Sequence, residues 1–117
     1  MREPVRDMER LHHINDAIDR IQSRIPVLSL ENLLQDVLVY YGVVKNIEII
    51  GEAVFKLTKE FKEAHPLTAW DDIEGMRHVL VHDYYNIQPE RVLHVIENDL
   101  PALKSQIEQY LSEMESE

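Results

Sequence analysis

Arg77, His78, His82, Tyr84 and Tyr85 fall within one short stretch, WDDIEGMRHVLVHDYY (70–85). The other segments carry mainly apolar stripes and solvating charge. Arg77, His82 and Tyr84 make the pattern R-x4-H-x-Y, and the chemistry open to an Arg, a His and a Tyr without metal ligands is limited. An imidazole that titrates near neutrality can take a proton from a ribose 2'-hydroxyl or give one to a leaving 5'-oxygen. An Arg fork can stabilise charge on the phosphate between them. Metal-independent RNA cleavage is the reaction that needs only these groups.

Helical geometry limits how those groups can meet. With about 100° of rotation per residue, Arg77 and Tyr84 share a face, whereas Arg77 and His82 point roughly 140° apart. One straight helix cannot join that Arg to that His. Either the helix ends near His82, or a second copy of the chain completes the site, as an isologous two-fold dimer would do by setting the same helix of both chains against itself. Blander roles exist for the same residues. Arg77 could pair with Glu74 at i,i+3 on the surface, and Glu52 could orient Arg77 or merely face solvent. His78 and His82 have the i,i+4 spacing of two helical zinc ligands, but Val79 stands where an HExxH motif needs its Glu, so no catalytic metal is expected. Tyr85 reads as a packing residue. Lys56, Lys59 and Lys62 read as a solvated basic face rather than an RNA track.

The elements that must position these residues are helical. Leu11, Ile14, Ile18, Ile21 and Ile25 alternate spacings of three and four, which predicts an amphipathic helix over Val5–Arg24, ended by Pro26. Ser29 is a candidate N-cap for a long second helix. Its stripe runs through Leu30, Leu33, Val37, Tyr40, Val44, Ile47, Gly51, Val54 and Phe61 to Pro66. Gly51 lies on that stripe where a larger side chain is expected, which predicts close helix approach. Trp70 anchors a third helix with Ile73, Met76 and Leu80 on its buried face and Asp71, Asp72 and Glu74 at its positive end. After the break at Asn86–Pro89, a last stripe of Leu93, Ile96, Leu100, Leu103, Ile107, Tyr110 and Met114 passes Pro101, which should kink it. The expected fold is all-α, an up-and-down antiparallel bundle of four or five helices in one domain over 1–117.

Composition narrows the function. The formal charge of -10, from 12 Lys and Arg against 22 Asp and Glu, argues against a sequence-independent binder of duplex nucleic acid, because such binders neutralise many phosphates. Any nucleic-acid contact must be local. The absence of Cys removes disulfides, thiolate metal sites and a Cys nucleophile. No apolar stretch follows Met1, and Val37–Val44 is too short to span a bilayer, so a soluble, cytoplasmic protein is expected.

The segments IEIIGEAV (47–54), AWDDIEGMRHVLVHDYYNI (69–87) and VIENDLPAL (95–103) resemble the HepT-like branch of the HEPN superfamily, toxins of toxin–antitoxin pairs. The resemblance rests on R-x4-H together with the IGEA segment, the Trp seven residues before the Arg and the DLP of the last helix. It implies a HEPN-like bundle, an RNA substrate, a homodimer with a composite active site, and a cognate minimal nucleotidyltransferase antitoxin; it implies no cofactor. Arg77 and His82 match the superfamily's RNase pair, as phosphate stabiliser and catalytic base or acid. Tyr84 matches the tyrosine to which the antitoxin transfers AMP, which would add bulk and negative charge where RNA phosphate must sit. The family usually has Asn directly after the Arg; His78 stands there in this chain, and its part in catalysis is open. A rival assignment is a non-catalytic docking or regulatory subunit of a split nucleotidyltransferase, with Tyr84 at the interface.

Overall fold

Leu11, Ile14, Ile18 and Ile21 are fully or almost fully buried, each stabilising the fold by about 1.5–3 kcal/mol relative to exposure. They lie on α1 (Arg2–Gln22), which starts earlier than the periodicity indicates because Pro4 in a first turn forfeits only an N–H with no helical partner. The computed structural model describes residues 2–24, 29–83 and 86–116, without the side chains of 2–5 and 30. Ile25, Pro26, Tyr84 and Tyr85 therefore lie outside the described residues.

The expected long second helix is three helices: α2 (Leu30–Gln35), α3 (Val37–Lys56) and α4 (Lys59–Ala64). Ser29 caps α2 as expected, accepting from the Asn32 N–H at 3.2 Å. Asp36 then leaves the helix at φ -118°, ψ 94° and accepts from the N–H groups of Leu38 and Val39. A short carboxylate that offers the backbone its own acceptor ends one helix and starts the next. Val37, placed on the buried stripe by its spacing, is consequently 59% exposed.

The second break is held from a distance. Leu57 and Thr58 are extended, and Thr58 Oγ1 accepts from the Phe61 N–H. Asp7 of α1, only 4% exposed, accepts from both the Thr58 N–H (2.9 Å) and the Thr58 hydroxyl (2.7 Å). Asp7→Ala should lower the free energy of unfolding by about 1–3 kcal/mol, because it strands a partly buried N–H and hydroxyl. A fall in the urea midpoint at unchanged slope is the measurement.

Trp70 opens α5 (Trp70–His82) as expected. Its ring is buried near Phe61 and Tyr110, and its indole N–H donates to the His65 carbonyl at 2.9 Å. Leu80 is buried, with Ile73 and Met76 half-buried against the core. After Pro89 comes α6 (Pro89–His94), a π-helical turn (Val95–Asp99) and α7 (Leu100–Glu115). Pro101 has no N–H and its ring crowds the carbonyl four residues back. The preceding π turn, in which the Leu100 N–H bonds to the Val95 carbonyl, absorbs that conflict and brings Val92, Ile96 and Leu100 to the core.

The result is an all-α bundle, with no strand among the described residues. Helix α3 is central, packed on α1 and α5, and α1 packs on α7. No described helix is long and apolar enough to cross a membrane.

Candidate active site

At Gly51, α5 lies close on α3. A Cβ built there would stand 2.2 Å from Arg77 Cβ and 2.8 Å from its Cγ, so the expected close approach is made by the candidate catalytic arginine itself. The missing side chain at 51 is the seat for the stem of Arg77.

From that seat the guanidinium runs along α3. Arg77 Nη2 donates to Glu52 Oε2 at 2.6 Å, and Arg77 Cζ lies over the Phe55 ring at 5.6 Å. Glu52 also pairs with Lys56 at 3.5 Å. Of the two roles open to Glu52, the geometry takes the first, because the carboxylate holds Arg77. The i,i+3 pairing of Arg77 with Glu74 does not form: Glu74 instead takes Lys62 at 3.1 Å. Phe55 escaped the sequence reading, although a large apolar residue off the buried stripe was its signal; its ring is 58% exposed beside Arg77. The arginine remains partly exposed, and a guanidinium has five N–H donors, so one carboxylate leaves donors for a second anion.

His82 is the last residue of α5, which is closed by Asp83 with its N–H on the Val79 carbonyl. The helix thus ends too late to swing His82 toward Arg77. His82 is exposed beside His78, their ring centroids 4.5 Å apart, while Arg77 is turned onto α3. A single chain therefore presents the two residues in different directions. Beyond His82, the Asn86 N–H donates to the Asp83 carbonyl at 3.0 Å and the Asn86 side chain to the Asp83 carboxylate at 2.6 Å. These bonds tie together the residues flanking Tyr84 and Tyr85.

The three lysines form no open basic track. Lys56 pairs with Glu52, Lys59 with Glu63 at 3.9 Å and Lys62 with Glu74. A groove of about 1250 Å³ runs between α5 and α6–α7, and neither Arg77 nor His82 lines it. What surrounds Arg77 is a surface: Glu52 and the exposed Phe55 meet it on the outer face of α3, and Val81 stands exposed one turn further along α5, while Leu38 and Tyr41 stand exposed on the first turns of α3.

Comparison with known proteins identifies the family. A family model described as ribonuclease HepT-like matches residues 14–110. The chain belongs to the HepT-like family. A protein of Caldanaerobacter subterraneus subsp. tengcongensis, named a putative RNase, is 34% identical over 101 residues, spanning 86% of this chain and 90% of its own. A Thermococcus cleftensis protein named a probable ribonuclease HepT is 31% identical over 98 residues, covering 84% and 89%. A putative RNase of Methanocaldococcus jannaschii is 28% identical over 113 residues, covering 96% and 93%. No solved structure matches the chain. The HepT-like resemblance drawn from the three sequence segments is thereby established at the level of the family.

Proposed function

We propose that this HepT-like chain, one HEPN domain over 1–117, is an endoribonuclease toxin that acts as a homodimer and is silenced by AMP transfer to Tyr84. The observation that carries the reading is Arg77, seated in the Gly51 notch and oriented by Glu52, in a chain whose relatives are named as RNases. The direction of His82 supports a composite site, since Arg77 needs an imidazole that its own helix does not supply. The exposed apolar residues Leu38, Tyr41 and Phe55 along the α3 face that carries Glu52 support a second copy on that face, because exposed apolar patches mark interaction surfaces.

In this mechanism the His82 imidazole takes the proton of a ribose 2'-hydroxyl. The 2'-oxygen attacks the adjacent phosphorus, and the bond to the 5'-oxygen breaks. The imidazolium returns its proton to the leaving 5'-oxygen, giving a 2',3'-cyclic phosphate and a 5'-hydroxyl end. Arg77 binds the non-bridging oxygens as their charge grows. The net charge of -10 opposes RNA approach, and two Arg77 side chains in one cleft would focus positive potential there.

Expression of the chain alone, and with the proposed nucleotidyltransferase partner, tests the reading. Alone it should slow growth; with the partner, growth should recover and intact mass should rise by whole AMP groups, a gain absent in Tyr84→Phe. A harmless unmodified chain would favour the docking-subunit assignment instead.

A further inference from the structure

His78 and His82 face solvent one turn apart on α5, ring centroids 4.5 Å apart and planes inclined by 46°. Among the described residues neither ring has a hydrogen-bond or ion-pair partner, so their nitrogen lone pairs are uncommitted. Two imidazoles that share an ion at about 2.0–2.1 Å, with N–metal–N angles of roughly 90–109°, hold their centroids about 4.5–5.2 Å apart. The observed spacing falls at the near edge of that range. Both rings are exposed on α5, free of the packing that would fix their orientation against one shared ion.

We propose that His78 and His82 form a two-nitrogen site for a zinc-class divalent cation, and that the bound cation inhibits the protein by occupying His82. Imidazole nitrogen selects zinc, nickel and copper over magnesium and calcium, which require oxygen ligands. The site is distinct from a hydrolytic zinc centre, since Val79 supplies no general base. Water, or the same pair from a second copy, completes the coordination. The inhibitory half rests on the ribonuclease reading: an imidazole whose lone pair is on a metal cannot take a proton from a 2'-hydroxyl. The binding half stands without it.

Calorimetric titration of zinc chloride into the purified, chelator-treated chain tests the site, alongside His78→Asn, His82→Ala and, as a control, His94→Ala, whose ring lies against Asn98. All three positions are exposed, and thermal melts verify folding. The parent and His94→Ala should bind zinc equally, and His78→Asn and His82→Ala should each bind at least about tenfold more weakly. Excess magnesium should not compete, and zinc should suppress RNA cleavage by the parent over the range in which it binds. Equal zinc affinity in His78→Asn and the parent overturns the site. Histidine-dependent zinc binding by a parent that cuts no RNA when zinc-free upholds the site and rejects the ribonuclease reading. Cleavage that depends on His82 in a chain that binds no zinc rejects the site alone.

Discussion

Gly51→Ala should destabilise the protein and cut its RNA cleavage about a hundredfold, although the same change in an open helix is stabilising. Alanine is favoured over glycine inside a helix by about 1 kcal/mol, and at Gly75, where an added Cβ meets nothing within 4 Å, that gain should appear in full. At position 51 the new carbon would lie 2.2 Å from Arg77 Cβ and 3.4 Å from Arg77 Cα. The obstacle is the root of a side chain and the backbone behind it, which no rotamer change can move. Helix α5 must therefore shift away from α3. Overpacking of this kind costs about 1–3 kcal/mol, enough to reverse the sign of the propensity gain. The shift also carries Arg77 off Glu52, and misplacing a catalytic group by about 1 Å can cost a hundredfold in rate. Urea unfolding and cleavage rates of Gly51→Ala and Gly75→Ala, measured side by side, check both halves. Equal stabilisation of the two variants would show that α5 does not rest on Gly51.

How far this was legible from residues differs between fold and site. The stripe of α1 is periodic without interruption, and its buried residues follow it. The breaks at Asp36 and at Leu57–Thr58 were hidden because the apolar spacing carries on through them: Leu33, Val37 and Tyr40 span the first, and Val54, Leu57 and Phe61, all buried, span the second. Periodicity records which face is apolar and is silent on where the backbone turns. Asp36 carried a local capping signal, whereas the Asp7–Thr58 contact joins residues 51 apart and leaves no local trace. Pro101 announced a kink, but the π turn that accommodates it depends on which residues the core must receive.

At the site, Gly51 signalled a close approach without naming its partner. That partner is Arg77, and only three-dimensional packing places the Glu52 carboxylate on the guanidinium. The 140° divergence of Arg77 and His82 follows from helical rotation alone and is kept by the fold, since α5 runs to His82 before it ends. Tyr84 lies outside the described residues, and its proposed modification rests on the family resemblance.

Loss of His82 should have the larger effect. Its side chain is exposed at the end of α5, so His82→Ala should change stability by no more than about 0.5 kcal/mol. Removal of a general base or acid lowers rate by about 100- to 10,000-fold. A folded, soluble and inactive variant is the expected result. Loss of activity alone does not say whether Arg77 meets the imidazole of its own chain or of a second copy, and that distinction is the core of the account.

The measurement that tests it most directly is the cleavage rate of a dimer carrying Arg77→Ala on one chain and His82→Ala on the other, isolated from co-expression with two different tags. A composite two-fold site leaves one of its two centres intact, so the mixed dimer should cut RNA at roughly half the parent rate, while each single-variant dimer is inactive. A mixed dimer as inactive as either variant alone would contradict the composite site, and a His82→Ala dimer that cuts RNA like the parent would contradict the catalytic assignment itself.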